Sequence, residues 1–177
     1  NESDVKKYAQ KHNINILQPS NLKDEGFINE IKKLEPDLII VVAFRKIPKE
    51  IFSIPKYGTI NLHASLLPNY RGAAPINWCL INNESKTGVT TFFINEKIDQ
   101  GDILLQDEVI INKEDDFGKL YTKLSKVGAE LLVKTIIGVF NNSLNPSKQN
   151  LDTEIKLAPK LNSENTREGI NINRDFK

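Results

Sequence analysis

The strongest constraint in this sequence is the run Asp37-Leu38-Ile39-Ile40-Val41-Val42-Ala43-Phe44, apolar and β-branched almost throughout. A strand with one wet face alternates apolar and polar residues. A run without alternation reads as a strand covered on both faces, which calls for a sheet with helices on both sides. The neighbouring sequence supplies them. Phe27, Ile28, Ile31 and Leu34 recur at helical spacing until Pro36 stops the helix. Asp4–Lys11 reads as an opening helix, and a short helix lies around Pro48–Phe52. Ile14–Leu17, Thr59–Ala64, Gly88–Asn95 and Ile103–Ile111 read as strands, and Ala73–Ile81 as a helix. Asp116–Phe140 reads as a long amphipathic helix with Leu120, Leu124, Val127, Leu131 and Ile136 on one stripe. Helix and strand alternate, so the expectation is an α/β domain with a mostly parallel sheet flanked by helices.

After Phe140 the character changes. Residues 141–150 hold Asn141-Asn142-Ser143 and Asn145-Pro146-Ser147 and read as a polar linker. Residues 151–177 are too few for a domain and read as a tail or the opening of a second one. Composition narrows the class further. With 39% hydrophobic and 27% charged residues, the balance is that of a soluble globular chain. The longest apolar run, Leu38 to Phe44, falls well short of a membrane span. The single cysteine, Cys79, excludes an intramolecular disulfide and a cysteine-based zinc site. The chain begins at Asn1, contains no methionine and shows no secretory signal pattern, so a cytoplasmic location is expected. Net charge is +1, from 24 basic and 23 acidic residues, without a basic tract. A nucleic-acid partner therefore has to be argued from something other than charge.

The chemistry concentrates in Thr59 to Gly72, T-I-N-L-H-A-S-L-L-P-N-Y-R-G. On a strand, Asn61 and His63 share one face while Ile60 and Leu62 point into the core. Ligands of open α/β sheets bind beyond the carboxyl ends of strands. An amide beside an imidazole offers a donor for an oxyanion and a group that moves protons near neutral pH. An Asn-x-His triplet alone is more often a strand cap and a satisfied histidine. The string that follows, Ser65-Leu66-Leu67-Pro68-Asn69-Tyr70-Arg71-Gly72, raises the functional reading above that one. A second stretch, Asn95 to Asp102, places Asp99 in a loop where Gly101 permits a tight turn, with Asp102 as a rival carboxylate. A loop carboxylate can orient a histidine or hold a water.

Residues 61–75, N-L-H-A-S-L-L-P-N-Y-R-G-A-A-P, together with K-I-D-Q-G-D-I at 97–103, resemble the formyltransferases that use 10-formyltetrahydrofolate. The resemblance spans roughly residues 1–165 and includes L-E-P-D-L-I-I-V-V-A-F (34–44), P-K-Y-G-T-I-N (55–61) and A-P-K-L (158–161). It implies a Rossmann-like formyltransferase domain over residues 1–140, incomplete at the N-terminus, with most of a C-terminal tRNA-binding domain also absent. It implies Asn61, His63 and Asp99 as the catalytic set, and Ser65, Leu66, Leu67, Pro68, Arg71 and Gly72 on the acceptor side. The folate would lie between the loop after the long strand and the loop carrying the aspartate, at Phe44, Arg45, Ile47, Asn95, Ile98 and Gln100. The members resembled most formylate the methionine of initiator methionyl-tRNA. The same chemistry on an amino sugar nucleotide or glycinamide ribonucleotide is the alternative, as is a domain that binds or hydrolyses the formyl folate. No metal, no membrane and a monomer are expected.

Other residues read more plainly. Trp78 is expected in the core, and Cys79 buried and inert. Ser65 has no base at nucleophilic spacing except His63, which argues against a serine hydrolase. Lys119, Lys123 and Lys126 read as a solvated face of the long helix.

Overall fold

A computed structural model describes residues 2–152 and 154–162. Helix α1 (Asp4–Lys11) starts where the Ser3 hydroxyl accepts from the Lys6 N–H. Helix α2 (Glu25–Lys33) starts at Asp24, whose carboxylate accepts from Phe27 N at 2.9 Å, and ends ahead of Pro36. Strand β1 (Ile39–Val42) and the short helix α3 (Lys49–Phe52) lead to strand β2 (Thr59–His63). Then come β3 (Arg71–Gly72), α4 (Pro75–Ile81), β4 (Lys86–Phe93) and β5 (Ile103–Ile110). Helix α5 (Phe117–Phe140), capped by Asp116, and strand β6 (Leu157–Ala158) complete the described elements.

The main sheet has the order β1-β2-β4-β5. Only β1 and β2 are parallel; β2–β4 and β4–β5 are antiparallel. The α/β class stands, but the sheet is mixed where helix–strand alternation led us to expect a mostly parallel one. The physical reason lies in the connections. Residues 94–102 are too few to carry the chain back for a parallel return, so β5 folds against β4 as a hairpin. Two further expectations are corrected. Ile14–Leu17 forms no strand and leaves Ile14, Ile16 and Leu17 exposed. Strand β1 has only β2 as a neighbour among the described residues, and Val42 and Phe44 are more than half exposed rather than covered on both faces.

The core lies between the sheet and α5, where Leu120, Leu124 and Leu131 are buried against Val89 and Val109. The stripe of α5 passes through Gly128 and Thr135 as well, while Ile136 is only half-buried. A Cβ on Gly128 would stand 3.0 Å from Leu62 Cδ2, so the missing side chain is what lets Leu62 reach the helix. Thr135 and Thr91 join helix to sheet by a buried hydroxyl pair at 2.8 Å. No helix of the described residues is long and apolar enough to cross a membrane.

Candidate functional site

Strand alternation sorts β2 as expected. Ile60 is fully buried and Leu62 meets α5, so Asn61 and His63 share the other face. Asn61 is half-buried and His63 buried. Beyond His63 the chain folds back across that face. The S-L-L-P stretch is fixed there by two side chains from the neighbouring strands. Thr90, paired with His63 in register, donates to Ser65 O (2.6 Å) and accepts from Leu67 N (3.1 Å). Gln106 Nε2 donates to Leu67 O at 2.9 Å. Gly88 leaves room for Leu66, since a Cβ there would lie 2.5 Å from Leu66 Cδ2 and 2.2 Å from Asp107 O. Ser65 donates to Asn69 O at 2.7 Å, so its hydroxyl locks the turn and is not poised as a nucleophile. Pro68 is half-buried beside them.

The returning segment carries the contact that ties the site together. His63 Nε2 lies 2.8 Å from Tyr70 O. A carbonyl oxygen only accepts, so Nε2 carries a proton, and Nδ1 is the ring nitrogen with a lone pair in the neutral imidazole. Two residues further on, Gly72 N donates to Asp99 Oδ2 at 3.0 Å. Because β4 runs antiparallel to β2, the loop bearing Asp99 leaves from the end where β2 begins; Ile94 N donates to Thr59 O. Histidine and aspartate thus arrive from opposite ends of one strand and grip the same short segment. The aspartate holds Gly72 rather than the His63 ring. The two groups are coupled through the Tyr70–Gly72 backbone.

Three non-glycine residues around this face adopt the left-handed conformation: Ala43 (φ 48°), Tyr70 (φ 59°) and Asp99 (φ 52°). Such backbone costs about 1–3 kcal/mol each and persists only where the surroundings enforce it. At Tyr70 the enforcement is visible. Its N–H donates to Lys156 O at 2.6 Å, and its phenol donates to Glu84, which also pairs with Lys156. Burial, reinforced by the Glu84 hydrogen bond, pushes the Tyr70 phenol up to about 12. Lys156, with the Tyr70 hydroxyl, holds the Glu84 carboxyl below its ordinary range.

The other residues proposed from sequence are placed as follows. Arg71, in β3, keeps Nε and Nη1 buried without hydrogen-bond partners among the described residues. Arg45 braces the loop after β1 by donating to Ser20 O (3.1 Å) and Pro19 O (2.8 Å), with its guanidinium 5.7 Å from the Phe44 ring centre. Arg45 and Ile47 line a cleft of about 730 Å³ with Leu22, Pro48, Phe52 and Glu96. Lys49 on α3 pairs with Glu96, joining the two loops expected to flank the folate. Asn95 Oδ1 accepts from Lys97 N, Ile98 is exposed, and Gln100 is half-buried. Trp78 packs against the core and donates to Pro159 O at 2.8 Å. Cys79 is fully buried, and burial pushes its thiol up to about 11. Lys119 and Lys123 turn to Glu114 O and Asp115.

The sequence reading missed what holds these parts in place. Leu157 and Ala158 pair with Arg71 and Gly72 in parallel, and Ala158 is fully buried. Gln149 donates to Asp99 O and Gly101 O. Thr90 and Gln106 sit opposite each other on β4 and β5, a pairing that local sequence does not announce; Gln149 carries no local signal, and Ala158 stands in A-P-K-L (158–161), which the resemblance includes without assigning it a role. Residue 153 and residues 163–177, part of the stretch read as a tail, lie outside the described residues.

Comparison with known proteins decides the family. Residues 1–136 match the family model described as formyl transferase. The chain belongs to the formyl transferase family. It is 49% identical over 176 residues to a methionyl-tRNA formyltransferase of Flavobacterium johnsoniae, covering 97% of this chain and 56% of that protein. It is 53% identical over 164 residues to a methionyl-tRNA formyltransferase of Clostridium perfringens, covering 92% and 53%. The chain spans about half the length of these relatives. Among solved structures, it is similar to the sugar 3N-formyl transferase WlaRD, determined in the presence of dTDP and 5-N-formyl-THF. That likeness has a TM-score of 0.66, with 27% identity over 86% of this chain and 53% of that one.

Proposed function

We propose that this formyltransferase chain transfers a formyl group from 10-formyltetrahydrofolate to the amino group of methionine on initiator methionyl-tRNA. One observation carries the assignment of chemistry: His63 and Asp99, distant in sequence, hold one three-residue segment over the face that Asn61 shares. The acceptor is supported by relatives near 50% identity that bear the name methionyl-tRNA formyltransferase.

In this reading the methionine nitrogen attacks the formyl carbon, and the carbonyl electron pair moves onto oxygen. The Asn61 amide donates to that oxyanion; losing such a donor typically costs ~10²–10³ in rate. With Nε2–H committed to Tyr70 O, His63 takes at Nδ1 one proton from the methionine nitrogen, which attacks as the neutral amine and becomes cationic once the new carbon–nitrogen bond has formed. It then returns that proton to the folate nitrogen as the carbon–nitrogen bond to folate breaks and the carbonyl re-forms. General acid–base transfer of this kind contributes ~10²–10⁴. Asp99, with Oδ2 on Gly72, acts through Oδ1 on the amine protons. The folate would sit along Phe44, Arg45 and Ile47, opposite Asn95, Ile98 and Gln100. Ser65, Leu66, Leu67, Pro68, Arg71 and Gly72 would shape the acceptor side. Residues 1–140 would form the catalytic part and 141–150 the connection. The chain beyond would lead to a tRNA-binding domain, after β6 has docked on the site. All three catalytic groups come from one chain, which suits a cytoplasmic monomer acting on charged tRNA.

The test is formyl transfer to charged initiator tRNA, compared with a nucleotide-linked amino sugar, in the full chain. Asn61→Ala, His63→Ala and Asp99→Asn should each lower kcat/KM at least ~100-fold on the tRNA acceptor. Activity within a few-fold of wild type in all three would end the catalytic assignment. Preference for the amino sugar would favour the second reading, which rests on the likeness to the sugar 3N-formyl transferase.

A further inference from the structure

Among the described residues, the turn that presents Asp99 is held on its outer side only by the surface Lys49–Glu96 pair and the Lys97 N to Asn95 Oδ1 turn bond, and by Gly72 N on the Asp99 carboxylate. Asn95, Glu96, Lys97 and Ile98 are all exposed, so packing does not fix the loop. Asp99 holds a left-handed backbone, φ 52°, a conformation uncommon outside glycine although aspartate enters it more readily than most residues. Gly101 is pressed so close to β4 that a Cβ there would fall 1.6 Å from Phe93 O.

A further restraint comes from beyond the long helix. Gln149 Nε2 donates one hydrogen to Asp99 O and the other to Gly101 O, each at 2.9 Å. Gln149 is itself anchored. Ser147 and Ile103 exchange two backbone hydrogen bonds, Ile103 N to Ser147 O at 2.8 Å and Ser147 N to Ile103 O at 2.9 Å. The amide can face only one way, because turning it over would set Oε1 against two carbonyl oxygens. Among the described residues, Oε1 is buried and accepts no hydrogen bond.

We propose that Gln149 is a positioning residue for formyl transfer, holding the 99–101 turn so that the Asp99 carboxylate stays on Gly72 and addresses the reacting atoms. The proposal rests on the function given above. Displacing a catalytic group by about 1 Å can cost ~10²-fold in rate. A double-mutant cycle in the full chain tests it, with kcat measured at saturating formyl donor and charged initiator tRNA. Gln149→Ala should lower kcat roughly 10- to 100-fold and shift either KM by less than about threefold. In an Asp99→Asn background, the same change should cost less than about threefold, because its target is already gone. Should Gln149→Ala fail to fold, Gln149→Asn withdraws the amide by one methylene and serves in the same cycle. An equal loss in both backgrounds, or none in wild type, overturns the role of Gln149 while leaving the reaction in place. A neutral Asp99→Asn overturns the reaction assignment itself and this role with it.

Discussion

Replacing Gly72 with alanine probes the joint on which the site depends. Gly72 has φ +126°, and a Cβ there would stand 2.4 Å from Ala158 O and 2.9 Å from Ala158 C. Both obstacles are main chain, so no side-chain tip can turn aside. Reaching ordinary contact requires β3 and β6 to part by about 1 Å, on top of a backbone strain of about 1–3 kcal/mol. The molecule can relieve this by lifting residues 156–159 off β3. Doing so gives up Tyr70 N to Lys156 O (2.6 Å), Ala74 N to Ala158 O (3.1 Å) and Trp78 Nε1 to Pro159 O (2.8 Å). Each such bond is worth about 0.5–1.5 kcal/mol net, so lifting the segment costs about 2–4 kcal/mol before the backbone strain is added. In a chain of this size that lowers Tm by roughly 5–15 °C. Formyl transfer should fall as well, because Gly72 N is the donor to Asp99. Urea unfolding followed by circular dichroism reads the stability term. Gly118→Ala is the matched control. It is exposed on α5, and its Cβ would meet nothing closer than Asp116 Oδ1 at 3.5 Å, so a gain of up to ~1 kcal/mol is expected. If Gly72→Ala unfolds within ~0.5 kcal/mol of wild type while the control behaves, residues 156–159 do not rest on β3 and the reasoning fails.

A free tyrosine ionises near pH 10, whereas buried Tyr70 holds its proton to about 12. The stability this represents is fully present below pH 10 and is lost as pH rises to 12, by about 2–3 kcal/mol. Absorbance at 295 nm and unfolding at pH 9 and 12 should reveal this loss and its disappearance in Tyr70→Phe; an unchanged pH slope in that variant would refute it. Cys79, raised to about 11, should react very slowly with a disulfide reagent at pH 8 and rapidly in guanidinium. Fast labelling of the native protein would place the thiol at the surface. Thr135→Val removes the buried partner of Thr91 and should destabilise by about 1–3 kcal/mol in urea with an unchanged m-value. Equal stability would mean that the hydroxyl pair contributes nothing.

How much of this was legible in the sequence depended on range. Elements set by local periodicity and caps emerged within a residue or two. Asp4–Lys11 matches its helix, and Asp116 caps α5 where the amphipathic stripe begins. The alternation of Ile60 and Leu62 against Asn61 and His63 is a period-two property and could be read directly. Strand direction could not, because it depends on where each connection returns. The return from β4 to β5 was readable in hindsight, because residues 94–102 are too few for a parallel crossover and contain the turn glycine Gly101, whereas the connection over 64–85 is long enough for either direction. The same limit applied to β1, whose apolar run says how it prefers to be covered but not what covers it.

The polar tract after α5 taught the most, because composition made it look like a spacer. Ser147 pairs with the first residue of β5, Gln149 holds the Asp99 turn, and residues 156–159 brace the segment that His63 and Asp99 grip. Polar residues read as linker because most polar stretches are solvated, yet a buried backbone carbonyl needs a donor, and polar side chains are where donors come from. Asp99 and Tyr70, two left-handed residues at the site, are both tied to this tract, Asp99 through its carbonyl and Tyr70 through its N–H. A perturbation entering from the chain beyond residue 159 therefore has a short covalent and hydrogen-bonded route to the candidate catalytic groups. Truncating the chain before residue 147 should abolish formyl transfer while leaving the β1-β2-β4-β5 sheet able to fold. Full activity in that truncation would show that the two loops hold their geometry without the tract.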